Sequence, residues 1–218
     1  AWLTRCPQRF GLVRSGKPRP LLSHAYRVPA DFNEQQHHQL ELWENFLRHF
    51  GLTGTPDFTP ILSAIRNPKS EIGLITGSEN NPAKRWPVPH WRALIEAFPQ
   101  QHFVLFGTAN DATITREVAV GFPPERVTDL AGQTDLAGFA ARLSDCALLV
   151  TNDTGGMHLA NVLGVPLIAL FGPTNPARTG PVFHAPRRLL QPPTGTSLAG
   201  LAPPTVIAAV QEQLPLPA

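Results

Sequence analysis

Residues 147–174 form a strand–turn–helix–strand pattern that constrains the fold more than any other feature of the chain. An apolar run from Ala147 to Val150 predicts a buried strand. A polar turn with two glycines follows, and it leads into a helix that Gly164 can end. Val165 to Phe171 predicts a second buried strand. Ligands of open α/β sheets bind where strands end and helices begin, and a helix N-terminus favours an anion. The pattern therefore predicts a nucleotide or phosphate-ligand site.

Strands and helices alternate along the rest of the chain after about residue 70. Further strands are predicted at 71–76, 102–106 and 126–128, and helices at 88–98, 111–120, 134–143 and 203–214. The helix at 134–143 is predicted to begin at Thr134 as its N-cap. Alternation of this kind implies right-handed crossovers between parallel strands. The predicted fold class is therefore α/β with a doubly wound parallel sheet.

The segment before residue 70 has a different organisation. Residues 1–30 show no clear period, whereas Asn33 to Phe50 carries apolar residues at helical spacing and predicts an amphipathic helix. Thr53 to Pro60 is rich in threonine, proline and glycine and predicts a linker. We therefore divide the chain into a first segment, 1–62, and a domain, 63–218.

Charge is unevenly distributed along the chain. The formal net charge is +2, but six basic residues precede the first acid, Asp31, so the remainder is acidic overall. The basic segment favours an acidic partner, which could be nucleic acid, an anionic membrane surface or a phosphorylated substrate; the alternative is a solvated surface segment. The two cysteines lack the spacing of metal or redox motifs, and no apolar run approaches a membrane span. These features favour a reducing, cytosolic setting.

The loop from Thr76 to Pro87 has the chemistry of a diphosphate site. Gly77 frees the backbone, Ser78 offers a hydroxyl group, and Lys84 places a positive charge just before a predicted helix. The spacing differs from that of a Walker A loop, which requires Gly-Lys-Ser/Thr. The alternative for this loop is an ordinary solvated connection.

Two further loops carry polar groups at the same predicted sheet edge. Asp111 follows a strand at a position where a carboxylate often receives ribose hydroxyls, although it would also complement a helix dipole. In the turn after Val150, Asp153 and Thr154 could contact a ligand or could cap the helix. His158 could likewise bind a ligand or bond to the backbone. The meeting of three such loops at one edge favours the ligand interpretation.

Two motifs together resemble those of a known family. One runs from Thr151 to His158 and continues from Leu170 to Pro181; the other runs from Gly77 to Pro87 and ends in His90-Trp91. They resemble the signatures of the bacterial ADP-heptose:lipopolysaccharide heptosyltransferases, glycosyltransferase family 9. The resemblance implies the GT-B architecture, in which two Rossmann-like domains enclose a cleft. Residues 63–218 would then be the C-terminal, Rossmann-like domain that binds the nucleotide-sugar donor.

The resemblance also implies roles for residues around the phosphates. Lys84, with Ser78, would contact donor phosphate. Thr154, Gly155 and His158 would line the diphosphate at the helix N-terminus. The residues present require no metal ion, and no cofactor is expected besides the substrate, ADP-heptose.

Other positions would bind the sugar and the nucleoside. The resemblance implies that Asp153 reaches the heptose hydroxyls and that Asp111 takes the adenosine ribose. The segment from Leu130 to Thr134 would border the adenine. The implied reaction moves heptose from ADP-heptose to a sugar hydroxyl of the lipopolysaccharide inner core, with inversion at the anomeric carbon. The basic segment would then meet the acidic acceptor rather than nucleic acid, in the cytoplasm and in peripheral contact with the inner membrane.

The chain departs from the family pattern at its beginning. About 60 residues precede the linker, which is too few for the N-terminal domain that carries the proposed general base. We therefore assign no catalytic residue, and we expect the isolated chain to bind the donor weakly and to transfer little heptose. The absence of an initiator methionine at Ala1 agrees with an incomplete chain. Two alternatives stay open: a non-catalytic nucleotide-sugar-binding module, and another GT-B enzyme such as a nucleotide-sugar epimerase.

Overall fold

The computed structural model describes residues 6–62, 69–78, 81–193 and 197–214. The chain divides into two compact units. The first is Ala1–Asp57 with Ala177–Thr179, and the second is Phe58–Pro176 with Gly180–Ala218.

The second unit begins at Phe58, five residues before the division that the sequence suggested. Backbone hydrogen bonds explain this position. The N–H of His184 donates to the Phe58 carbonyl at 2.9 Å, and the N–H of Ile61 donates to the Val162 carbonyl at 2.9 Å. Of the linker-like residues, 53–57 therefore belong to the first unit and 58–60 to the second. The interpretation of the first segment as the end of another domain stays a prediction.

Among its described residues, the first unit contains a parallel strand pair and one long helix, together with residues 177–179 of a four-residue helix. The strands are β1 (Phe10–Val13) and β2 (His24–Arg27), which the sequence did not predict, and the helix is α1 (Gln39–His49). Helix α1 begins six residues later than the predicted start at Asn33, because the ring of His38 accepts a hydrogen bond from the Leu40 N–H and forms the N-cap. The Phe50 ring packs edge-on against Phe10 at 4.8 Å.

Six described strands form one parallel sheet in the second unit. In chain order they are β3 (Lys69–Ile75), β4 (His102–Phe106), β5 (Val127–Asp129), β6 (Cys146–Asn152), β7 (Leu167–Leu170) and β8 (Arg187–Leu190). Their spatial order is β5-β4-β3-β6-β7-β8. Chain order reverses between β3 and β6, which is the switch point where ligands bind in this topology. The predicted α/β fold with a parallel sheet is confirmed.

Helices follow the strands along the chain, and the last helix comes after β8. They are α2 (Val88–Ala97), α3 (Ala112–Ala119), α4 (Leu136–Asp145), α5 (Gly155–Leu163), α6 (Pro176–Thr179) and α7 (Pro203–Gln213). The predicted N-cap of α4, Thr134, is wrong by one residue, because the Asp135 carboxylate accepts from the Gly138 N–H at 2.7 Å. The predicted end of α5 is confirmed, since Gly164 adopts a left-handed conformation with φ of 79°. None of the described helices is long and apolar enough to cross a bilayer.

The two faces of the sheet each bury an apolar cluster. Successive residues of β4 alternate between them: Phe103 and Leu105 point to one cluster, and Val104 and Phe106 to the other. Strand β8 was missed because its residues, Arg-Arg-Leu-Leu, alternate only between exposed and half-buried positions at the edge of the sheet. The central strands have apolar residues on both sides, as expected of a parallel sheet covered by helices.

Candidate functional site

A cavity of about 790 Å³ lies at the carboxyl edge of the sheet. It is bounded by the loops after β3, β4 and β6 and by the first turns of α4 and α5. Six of the seven residues predicted for donor binding line it: Ser78, Lys84, Asp111, Asp153, Thr154 and Gly155. They meet because the carboxyl ends of parallel strands share one edge.

Two residues that were predicted to contact the ligand, His158 and Leu130, are not among the residues that line the cavity. His158 is an exposed residue of α5 and is not part of the cavity lining, so its predicted contact with a diphosphate stays a prediction. Of the segment predicted to border the adenine, Gly132 and Thr134 line the cavity, whereas Leu130 packs against one of the apolar clusters.

Lys84 and Asp153 form an ion pair in the cavity wall. Lys84 Nζ lies 2.7 Å from Asp153 Oδ2, and the side chains are only 23% and 8% exposed. Thr174 Oγ1 donates a second hydrogen bond to the same carboxylate oxygen, also at 2.7 Å. The other oxygen, Oδ1, has no hydrogen-bond partner among the described residues. Lys84 is therefore a paired cation, and Asp153 keeps one acceptor oxygen available.

Asp111 sits in a space created by two glycines. A Cβ atom on Gly77 would overlap the Asp111 carboxylate, and one on Gly107 would lie 2.8 Å from its Cβ. Asp111 Oδ2 accepts from the Thr108 N–H at 2.9 Å and from the Thr108 hydroxyl at 2.8 Å. Its Oδ1 has no hydrogen-bond partner in the described part of the chain. The carboxylate thus closes a local turn with one oxygen and offers the other, so both sequence interpretations of Asp111 are compatible.

The N-terminus of α5 lines the cavity. Thr154 is the N-cap in extended conformation, as the sequence suggested, although its side chain makes no capping hydrogen bond. A Cβ on Gly155 would meet open space, whereas one on Gly156 would collide with Ile75. Gly156 therefore allows the helix to begin directly against β3. The first N–H groups of a helix lack partners within it and carry the positive end of its dipole.

A buried amide that the sequence analysis did not single out organises this edge. Asn152 Nδ2 donates to the carbonyl oxygens of Thr76 at 2.8 Å and Gly77 at 3.1 Å, and its Oδ1 accepts from the Trp86 N–H at 3.3 Å. Both ends of the loop that carries Ser78 and Lys84 are thereby tied to the end of β6. The position of Asn152 between Thr151 and Asp153 in the motif could have drawn attention to it. The sequence does not reveal, however, that its side chain points into the protein.

The opposite wall of the cavity is apolar. It consists of Ile75, Phe106, Leu136 and Phe139, with the rings of Phe106 and Phe139 packed edge to face at 5.3 Å. Leu136 is 74% exposed although it lines the cavity. The site therefore combines apolar side chains near β4 and α4 with charged and polar groups near β6. Such a combination suits a ligand with a planar base at one end and an anionic group beyond it.

Relatives of known name match part of this chain. A "Lipooligosaccharide heptosyltransferase 2" of Haemophilus influenzae is 38% identical over 125 residues, which is 55% of this chain and 36% of the relative. A "Lipopolysaccharide heptosyltransferase 2" of Escherichia coli K12 is 34% identical over 139 residues, 62% of this chain and 40% of the relative. The matched region thus spans well under half the length of these relatives.

Solved structures share the fold. The glycosyl transferase family 9 protein from Veillonella parvula has a TM-score of 0.77 at 24% identity, covering 98% of this chain and 69% of that one. The E. coli ADP-heptose lps heptosyltransferase II has a TM-score of 0.61 at 30% identity, covering 90% of this chain and 55% of that one. The model of glycosyltransferase family 9 (heptosyltransferase) matches residues 4–193. This chain belongs to glycosyltransferase family 9.

Proposed function

We propose that this chain binds ADP-heptose in the cavity at the carboxyl edge of its sheet and serves heptosyl transfer to the lipopolysaccharide inner core. One observation carries the proposal: the N-terminus of α5 and Lys84 line one cavity with two carboxylates, Asp111 and Asp153, each of which has one oxygen without a hydrogen-bond partner among the described residues. A nucleotide-sugar has the matching sequence of groups, a ribose diol, a diphosphate and a second polyol.

The order of strands suggests how such a ligand would lie. Strands β4, β3 and β6 are neighbours, and β7 follows β6. A diphosphate over the switch point between β3 and β6 would meet Lys84, Ser78 and the N-terminus of α5. The nucleoside would then lie towards β4, where Asp111 and the apolar wall are found. The donor sugar would lie towards β7, beside Asp153.

These groups also suit the chemistry of transfer. Breaking the bond between the anomeric carbon and the donor phosphate oxygen develops negative charge on the departing ADP. Groups that bind this charge more strongly in the transition state than in the ground state lower the barrier. In this proposal the positive charge comes from Lys84 and the helix dipole, without a metal ion or another cofactor.

The relatives' names support the same conclusion. Those relatives are heptosyltransferases, and one similar structure is named as an ADP-heptose lps heptosyltransferase. The match spans under half of the length of those two relatives. The transfer reaction and the acidic lipopolysaccharide acceptor are therefore part of this proposal. The proposal also places the protein in the cytoplasm, in peripheral contact with the inner membrane.

Calorimetry with ADP-heptose, ADP and a UDP-sugar tests donor binding. We expect ADP-heptose and ADP to compete for one site, and a Lys84→Met variant to weaken both by about tenfold, equivalent to about 1.4 kcal/mol. Lys69→Met is the matched control, because Lys69 also pairs with an aspartate, Asp145 at 3.2 Å, but does not line the cavity. Absence of ADP-heptose binding by the unaltered protein, or equal effects of the two lysine variants, would refute the proposal.

A further inference from the structure

We infer that Thr174 is a positioning residue of this site: its hydroxyl orients the Asp153 carboxylate so that Oδ2 holds Lys84 and Oδ1 is left for a hydroxyl of the donor sugar. The inference rests on the proposed function and names the residue that gives Asp153 its orientation.

The hydrogen bonds that described side chains donate to the Asp153 carboxylate both go to one oxygen. Oδ2 accepts from Thr174 Oγ1 and from Lys84 Nζ, both at 2.7 Å. An ionised carboxylate oxygen has two lone-pair sites, so these two donors fill the acceptor capacity of Oδ2. With Lys84 alone, the plane of the carboxylate could rotate until the ammonium group bridged both oxygens. The second donor, on a separate loop, selects one orientation.

Thr174 is itself held in place from two directions. Gln191, directly after β8, donates from Nε2 to the Thr174 carbonyl at 3.1 Å. On the other side, Gly172 lets the loop after β7 approach the turn that ends at Lys84, because a Cβ on Gly172 would lie 2.7 Å from the Ala83 carbonyl oxygen. The hydroxyl therefore reaches Asp153 from a fastened loop.

The location of Asp153 makes its orientation matter for the sugar more than for the nucleotide. The apolar wall and Asp111, which suit a nucleoside, come from β4, α4 and the adjoining loops. Asp153 and Thr174 lie on the β6 and β7 side of the switch point. Loss of the Thr174 hydroxyl is therefore expected to affect binding of ADP-heptose and to leave binding of ADP nearly unchanged.

The first experiment compares Thr174→Val with Thr174→Ser. Valine keeps the shape but removes the hydroxyl, and we expect it to weaken ADP-heptose by about tenfold, as one charge-assisted hydrogen bond implies, with ADP changed less than about twofold. Serine restores the hydroxyl and is expected to recover most of the affinity. Thr205→Val, on the exposed surface of α7 and outside the cavity lining, controls for the substitution itself.

A second measurement needs no nucleotide. The sequence contains three lysines, Lys17, Lys69 and Lys84, so labelling by an amine-reactive acylating reagent can be followed at each by mass spectrometry. If Thr174 holds Asp153 against Lys84, Thr174→Val will increase labelling of Lys84 relative to Lys17 and Lys69. Thr174→Ser will not.

The two measurements separate this inference from the proposed function. Equal weakening of ADP and ADP-heptose with unchanged Lys84 labelling would overturn the inference, as would wild-type behaviour of Thr174→Val in both measurements. If the unaltered protein binds neither nucleotide, the proposed function fails, while the labelling still decides whether Thr174 positions the ion pair. A thermal melt shows whether the Thr174→Val variant folds. If it does not, Thr174→Ala replaces it, and wild-type Lys84 labelling together with wild-type affinities in Thr174→Ala would overturn the inference.

Discussion

The side chain of Asn152 donates a hydrogen bond to the carbonyl oxygen of Thr76 at 2.8 Å, and so the last residue of β6 holds the backbone that continues β3. These two strands form the switch point of the sheet. The same amide also bonds to Gly77 and Trp86, at the two ends of the loop that carries Lys84. The geometry of this edge of the cavity therefore depends on a residue that need not touch a ligand.

Replacing Asn152 by alanine is expected to lower both stability and nucleotide binding. Two carbonyl oxygens and one N–H would lose a buried partner, and we expect a loss of about 2–3 kcal/mol in the free energy of unfolding, measured with urea. Asn161→Ala is the matched control: Asn161 is also buried, and its amide exchanges hydrogen bonds with the backbone of Phe183, away from the cavity. Both variants should lose stability. An equal loss of ADP affinity in the two folded variants would contradict the assigned role.

Gly77→Ala tests the contact between Gly77 and Asp111. The added methyl group would overlap the Asp111 carboxylate, so the side chain must move from its place against Thr108. We expect ADP affinity to fall by about tenfold or more in calorimetry, which corresponds to about 1.4 kcal/mol. Gly54→Ala adds a methyl group in open space and should change nothing. Unaltered ADP binding by Gly77→Ala would show that the position of Asp111 is unimportant.

Leu136→Ser tests the apolar wall with little effect on folding. Leu136 is 74% exposed, so its loss should change the melting temperature very little. It lines the cavity, however, and burying its side chain under a nucleoside would contribute about 1–2 kcal/mol, so ADP affinity should fall several-fold. Val120→Ser, at 65% exposure and outside the cavity lining, should leave the affinity unchanged. The wall would have no role in base binding if both variants bound ADP equally well.

His90 is expected to make stability depend on pH. Burial lowers the pKa of His90, whose ring packs edge-on against Trp86 at 5.4 Å and whose Nδ1 has no partner among the described residues. In the unfolded chain His90 has its ordinary pKa of about 6.5. At pH values between the lowered pKa of the folded protein and this ordinary pKa, the unfolded chain therefore binds more protons than the folded protein. Stability should therefore fall as the pH falls through that interval.

Urea unfolding at pH 7.5 and pH 5 measures this effect. A His90→Gln variant should show a smaller loss of stability between the two pH values than the unaltered protein. His184→Gln, which replaces an exposed histidine, is the control and should keep the parental pH dependence. The same pH dependence in the His90 variant would exclude burial of this ring as the cause.

The strands and turns with strong local patterns were readable in the sequence. Strand β4 has the bounds that its apolar run indicated, and Gly164 ends α5 as expected. Strands β1, β2 and β8 were missed because they are short and only partly buried, so the alternation that marks a strand is weak. The start of α1 was wrong because its N-cap is a histidine, a residue that few capping rules include.

The candidate site was readable in part for a related reason. Parallel strands bring their carboxyl ends to one edge, so polar loop residues such as Ser78, Asp111 and Thr154 could be grouped before any contact was known. The grouping of His158 with them rested on its place in the motif and on the family resemblance. On α5 it is exposed and outside the cavity lining.

The sequence by itself determined the alternating strand and helix order, the turn at Thr154 that begins α5 and the chemical types of the groups around it. Only the tertiary structure decided how these groups pair. The contact of Lys84 with Asp153 joins residues 69 positions apart, and the bond from Thr174 to Asp153 crosses from one loop to another. Such contacts depend on strand order, register and glycine-sized gaps between loops, and local patterns along a chain carry no information about distances across a sheet edge. The folded sheet therefore converts a set of suitable residues into an oriented site.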